Sequence, residues 1–284
     1  MPERLFKHII ITRFNIKVRY KGADKPFEQT EEWLRTRFNL FETYCFPSLK
    51  QQTNKDFVWL CLFDIDTPTV FKEKISNYTE GFSQFAPVYL SECEANDISV
   101  ALAKYVKEYA DGYKYVYTTR IDNDDSFHCL AVEVLQSAFT ETDVKTVLSF
   151  NYGYQYFEKY NFVLKMFYPN NHFLSLIEKT DGDVNTILAY NHTKIRKEES
   201  CIDIQTRKPY WVEVVHGSNV NNQLMLSPKY KYKPIFRTIS FREFGFDHTI
   251  LPRQSIASFV LHFIPYTMKL SVKEIYRKIR KRKR

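Results

Sequence analysis

Residues 113–125 read Tyr113-Lys114-Tyr115-Val116-Tyr117-Thr118-Thr119-Arg120-Ile121-Asp122-Asn123-Asp124-Asp125. The alternation of aromatic and β-branched side chains up to Ile121 predicts a strand, because such residues suit a pleated, half-buried surface. The strand runs directly into three carboxylates, Asp122, Asp124 and Asp125. Carboxylates this close repel one another unless water, Arg120 or a divalent cation compensates. In open α/β sheets the loops beyond the carboxyl ends of strands splay into a ligand crevice, so an acidic cluster there predicts a site. Oxygen ligands suit Mg or Mn.

An EF-hand is one competing reading, since Glu133 falls where the twelfth ligand would be. Phe127 occupies the position that needs Gly, and a strand precedes the loop where an EF-hand has a helix. That reading is rejected. A plain strand-to-helix loop, with one Asp capping a helix over 128–139, is the other alternative.

Outward from this stretch the rhythm is strand, helix, strand, helix, which predicts a mostly parallel sheet flanked by helices. Strands are expected over 6–14, 57–63, 87–90 and 145–150. Helices are expected over 31–45, stopped by Pro47, and over 68–78 and 98–109. After residue 150 the pattern becomes irregular and more β-like. The expected organisation is a nucleotide-sugar-binding half over 1–150, an acceptor-binding half of the same domain over 151–268, and a tail over 269–284.

The chain has 284 residues, 44% of them hydrophobic and 17% aromatic, enough to bury a substantial core. Only 7 are Gly, and no two stand close enough for a dinucleotide fingerprint, a P-loop or a nucleophile elbow. A phosphate must then be held by metal or side chains. A cation bound by few carboxylates keeps open positions that substrate phosphates fill, so the acidic loop points to transfer from a nucleotide-diphosphate donor. The 5 Cys are odd in number and widely spaced, which predicts reduced, mostly buried thiols. No secretory signal or spanning stretch is recognisable, and a cytoplasmic location is expected.

The net charge of +8 resides entirely in residues 269–284, where 9 Lys or Arg face the single Glu274. The rest of the chain is balanced, which argues against nucleic acid as a partner. Val272, Ile275, Tyr276 and Ile279 recur at helical spacing, so the tail reads as a basic amphipathic helix. It suits an anionic membrane surface, or else is a solvated terminus.

Four segments occur in order: residues 8–15 (HIIITRFN), 45–52 (CFPSLKQQ), 57–60 (FVWL) and 119–125 (TRIDNDD). From about residue 7 to about 220 the chain resembles the bacterial glycosyltransferase family described as putative rhamnosyltransferases. The resemblance implies a GT-A type, Rossmann-like fold and metal-dependent transfer of a sugar, rhamnose by the family's name, to a glycan or lipid-linked acceptor. It matches Asp122-Asn123-Asp124 to the family's Asp-x-Asp motif, with Mn or Mg on Asp122 and Asp124 and a late His, here His216, as a further ligand. Thr12, Arg13, Asp64, Arg120, Asp122 and Asn123 are then expected at the donor. For Arg13 a salt bridge to an aspartate, and for Asp64 a surface turn, explain the residue about as well. Glu213 and Asp125 are the expected catalytic bases, with Asp181 and Asp183 as rivals. Tyr152, Tyr154 and Trp211 are expected to meet the acceptor, with core packing as the alternative. A non-catalytic nucleotide-sugar-binding module and a metal-dependent nucleotidyltransferase or phosphoesterase are the rival functions.

Overall fold

Ile9, Ile10 and Ile11 are all fully buried, which requires a central strand covered on both faces. The computed structural model describes residues 4–18, 29–217, 231–265 and Met268. Its main strands, in chain order, are β1 (Arg4–Arg13), β2 (Val58–Asp64), β3 (Phe85–Leu90), β4 (Tyr113–Arg120), β5 (Ser126–Phe127), β6 (Thr146–Ser149), β7 (Tyr152–Phe157), β8 (Phe162–Phe167), β9 (Leu174–Lys179), β10 (Ser200–Asp203), β11 (Trp211–Val215) and β12 (Lys231–Pro234). Seven form one sheet in the order β10-β6-β9-β4-β1-β2-β3. Only β9 runs against its neighbours. The fold is therefore mixed α/β with a mostly parallel sheet.

Alternate residues of β1 and β2 serve opposite layers, as the period of two demands. Ile9, Ile11, Leu60 and Leu62 meet Leu102 and Val106 of the helix Ile98–Tyr109. Ile10, Trp59, Cys61 and Phe63 meet Phe38 and Phe41 on one helix and Phe71 and Ile75 on the helix Thr69–Gly81. The helix that begins at Glu31 does not stop before Pro47. It passes through a π segment, Phe41–Cys45, and resumes over Phe46–Lys50. Proline lacks an N–H and its ring collides with the carbonyl four residues back in a regular helix, and a wider turn moves that carbonyl aside.

The helix expected over 128–139 is shortened to Ala131–Ser137, because Ser126 and Phe127 pair with β11. Five strands make the second sheet, β12-β8-β7-β11-β5. The stretch after residue 150 also returns β9 and β10 to the first sheet, so the two halves share it. All five cysteines are free, but only Cys45 and Cys61 are buried, fewer than expected. The expected tail helix over 269–284 lies outside the described residues.

Strand direction decides what gathers at the sheet edge. β1, β2, β4 and β6 are mutually parallel, so Arg13, Asp64, the loop after Arg120 and the segment after Ser149 share one edge. Antiparallel β9 brings its beginning, with His172 just before it, to that same edge. Its far end carries Asp181 and Asp183 to the opposite edge, away from the acidic loop, which removes both as candidate bases.

A buried histidine ties β1 to β4. His8 Nε2 meets Thr119 Oγ1 at 2.8 Å and His8 Nδ1 meets Gln136 Nε2 at 3.2 Å. An amide nitrogen only donates, so Nδ1 accepts, Nε2–H donates to Thr119, and the ring is neutral. Burial, with a contribution from Lys7, lowers its pKa from 6.5 to about 3. The unfolded chain takes up a proton near 6.5 that the folded ring refuses, so this stabilisation is complete above that pH and declines as pH falls toward 3. Urea unfolding should show a loss of about 2 kcal/mol between roughly pH 7.5 and 5 from this group. In His8→Gln that part of the slope should vanish, and an unchanged slope would contradict the assignment.

Candidate active site

Asp122 opens the loop after β4. Arg120 holds it through Nε to Oδ1 at 3.1 Å and Nη2 to Oδ2 at 3.0 Å. Arg13 Nη2 and His172 Nε2 each stand 4.0 Å away. Burial pushes its pKa up, but Arg120, His172 and Arg13 outweigh that and hold the carboxyl well below the usual range.

Asp124 lies deeper. Its Oδ2 accepts from Arg37 Nη1 at 3.1 Å and meets His216 Nε2 at 2.9 Å. Against the upward push of burial, the His216 bond and the Arg37 charge lower its pKa. Arg37 also donates through Nη2 to Asn123 Oδ1, and Asn123 Nδ2 donates to the Phe14 carbonyl at 3.0 Å. Arg37, which the sequence reading did not single out, thus fastens the acidic loop to the helix Glu31–Leu40.

Asp125 is buried between two elements. Its Oδ1 accepts from Val214 N at 2.9 Å, and its Oδ2 meets His172 Nε2 at 2.8 Å. Burial, then the charges of Asp124 and Asp122, push its pKa well above the ordinary value. His172 is held below its ordinary pKa by burial despite Asp122. The His192 ring lies 6.2 Å from it, lowered to about 4 by burial and then by His172.

Asp122, Asp125 and His172 offer ligand atoms that all lie within 4.8 Å of one another. Two carboxylates and an imidazole are a donor set that fits a divalent cation, whose charge would offset the repulsion that Asp124 and Asp122 add to the burial of Asp125. The residues fit such an ion. Of the expected ligands Asp122, Asp124 and His216, the last two meet at 2.9 Å, but among the described residues the three are not gathered as Asp122, Asp125 and His172 are, and Asp122 is common to the observed and the expected groupings. A separate trio, His128, Cys129 and Glu243, is a poorer cage. Leu130 N donates to His128 Nδ1 at 3.1 Å, which places the proton of the neutral ring on Nε2.

Glu213 sits on β11 opposite Gln155 of β7, whose Nε2 donates to its carboxylate at 3.0 Å. Burial raises its pKa from 4.5 to about 7, with His172 opposing and Asp125 and Asp124 reinforcing the rise. The folded carboxyl keeps its proton to higher pH than the unfolded one. Stability from this group is complete below 4.5 and is lost as pH rises through about 7. With chelator present, Glu213→Gln should therefore be more stable than the parent by about 3 kcal/mol near pH 8 and indistinguishable near pH 4. Chemical denaturation at the two pH values checks this.

Other expected residues divide by burial. Arg13 is half-exposed at the rim. Asp64 ends β2 buried, with Lys17 Nζ at 3.1 Å from its Oδ1, while its Oδ2 has no hydrogen-bond partner among the described residues. Tyr152 is half-buried beneath Lys165 Nζ, 5.3 Å from the ring centre. Three assignments need correction. Thr12 is fully buried and accepts from Trp59 Nε1 at 2.9 Å, so its hydroxyl is committed to the core. Tyr154 is buried among Phe241 and Phe244. Trp211 is buried, stacked on Phe173 at 4.8 Å and bonded through Nε1 to the Phe150 carbonyl. Rings so enclosed present no face to an acceptor.

No curated protein matches the chain. Among solved structures it is similar to a protein described as a putative nucleotide-diphospho-sugar transferase from Desulfovibrio desulfuricans G20, at 13% identity and a TM-score of 0.35, covering 70% of this chain and 78% of that one. A family profile described as putative rhamnosyl transferase matches residues 7–228. That span includes every strand from β2 to β11 and all of the acidic loop. With well over half of its length matched, the chain belongs to the family described as putative rhamnosyl transferases.

Proposed function

We propose that the protein is a metal-dependent glycosyltransferase of GT-A type. It takes a sugar, rhamnose by the family's description, from a nucleotide-diphosphate donor and passes it to a glycan or lipid-linked acceptor in surface-polysaccharide synthesis. The observation that carries this reading is the meeting of Asp122, Asp125 and His172 with the guanidinium groups of Arg13 and Arg120 at one sheet edge. Mn or Mg, held by Asp122 with Asp125 and His172 or with Asp124 and His216, would stabilise the charge developing on the leaving diphosphate.

The chain's own groups do the rest. Arg13, half-exposed at the rim, is placed to fork onto diphosphate oxygens, and Arg120 orients Asp122. Asp64 Oδ2, buried and without a partner among the described residues, suits a donor hydrogen on the ribose or base. Glu213, with its pKa raised to about 7, is poised to take a proton from an acceptor hydroxyl near neutral pH. Asp125 is the second candidate for that step, and Tyr152 offers the remaining aromatic face to the acceptor.

Incubation with a panel of nucleotide sugars and Mn should release nucleoside diphosphate together with a glycosylated product, and chelator should stop it. Release of nucleoside monophosphate would favour a nucleotidyltransferase or phosphoesterase instead. Tight donor binding with no turnover would make the protein a binding module.

Among the described residues no helix is long and apolar enough to cross a membrane. The basic residues of 269–284 fit a cytoplasmic enzyme held peripherally at an anionic membrane face.

A further inference from the structure

The helix Pro252–Ser258 continues into the π segment Phe259–Phe263, and among the described residues it is docked along one side only. Ser255 is buried there and its hydroxyl donates to the Ile235 carbonyl. Phe263 lies 5.4 Å from Phe162 and stacks on Phe259 at 5.0 Å. The opposite side is aliphatic and open to water: Ile256 is 49% exposed, Val260 54%, Leu261 65% and Met268 65%. A globular protein seldom leaves this many large aliphatic side chains together on one helix unless something covers them.

The charge around this face identifies what covers it. Between Asp247 and Glu274 the chain has no acidic residue. Arg253 lies on the exposed side of the helix, and the sequence then runs into the tail with its 9 basic residues against one acidic. The aliphatic spacing 256, 260, 268 is carried on in the sequence by Val272, Tyr276 and Ile279. A second copy of the chain would bring basic segment against basic segment, which like-charge repulsion opposes. Aliphatic side chains on the outside of a helix, with no shaped cleft around them, suit a fluid acyl boundary, and the neighbouring cations suit anionic headgroups.

We infer that the exposed side of residues 252–265, with Met268, is the apolar half of a lipid-docking surface, inserted at the headgroup boundary of an anionic bilayer while the tail supplies the charge. This rests on the membrane reading of residues 269–284 and extends it to a face of the folded body. Such a face would orient the enzyme on the bilayer, where a tail alone would only tether it.

Full-length protein is tested by co-sedimentation with phosphatidylcholine vesicles, with and without about a third phosphatidylglycerol. One variant, Val260→Asp with Leu261→Asp, alters only outward side chains and should keep the parent melting temperature. A second replaces Lys281, Arg282, Lys283 and Arg284 with Ser. The parent should bind the anionic vesicles and not the neutral ones, and each variant should bind at least tenfold more weakly. Parent-like binding by the Asp variant, with loss in the Ser variant, would overturn the apolar face and leave the tail reading intact. Absence of binding by the parent would overturn both. A parent dimer in solution that the Asp variant dissociates would make the occupant a second copy.

Discussion

Asp122→Asn should lower nucleoside-diphosphate release from the donor by about a thousandfold, the equivalent of roughly 4 kcal/mol of lost transition-state stabilisation. Asp122 belongs to both groupings of candidate ligands, so the loss does not depend on which of them holds the ion. Asn keeps the shape of the side chain but gives up the charge pairing with Arg120, so the variant should fold and melt somewhat below the parent, and turnover and Mn binding are compared well below both melting temperatures. It should also bind Mn more weakly, read directly by the paramagnetic signal of the free ion. His172→Ala and His216→Ala then separate the groupings, because only the histidine that meets the ion should weaken that binding. A variant at Asp122 with parent turnover and parent Mn affinity would remove the metal from the mechanism.

Gly153→Ala should be strongly destabilising although it adds a single methyl group. A Cβ at 153 would stand 1.9 Å from Cδ2 of Trp211, with two more indole carbons at 2.2 Å. The indole has no room to retreat, since Phe173 stacks on it and the Phe150 carbonyl holds its nitrogen. Either β7 and β11 separate or the ring leaves its slot, and overpacking of this kind costs about 3 kcal/mol or more. In a chain of this size the melting temperature should fall by roughly 6 °C or more, measurable by calorimetry. Activity should fall as well, because Phe173 adjoins His172, the two rings lying 4.2 Å apart. An unchanged melting temperature would mean that the indole is not fixed as described.

Comparable alanine effects are expected at Gly245, where φ is +94° and a Cβ would lie 2.5 Å from Ser48 N. Neither glycine can be recognised from its neighbours in the chain. Gly153 stands in a strand of ordinary appearance, and only the cross-strand indole makes a side chain intolerable there.

The same contrast runs through the site. The acidic loop was legible because strand propensity and a sudden run of carboxylates are both local, and a parallel sheet follows from the alternation of strands and helices. The rest depended on contacts between distant segments. His172 precedes a short strand whose sequence says nothing of its direction, and it reaches Asp125 only because β9 is antiparallel. Arg37 is one of two arginines on its helix, and only the helix's placement over the loop joins it to Asn123 and Asp124. Trp211 and Tyr154 looked available for a sugar because an aromatic side chain serves a core or a binding face equally well.

By itself, the sequence determined the layered α/β class, the order of most elements, the place of the acidic loop and the confinement of the excess charge to the last sixteen residues. These follow from periodicity and composition, which act over a few residues. The tertiary structure alone decided which histidines face the carboxylates, which aromatics are enclosed and which helix is left half-covered. Those outcomes depend on strand direction and on the packing of segments far apart in the chain, and no local pattern encodes either.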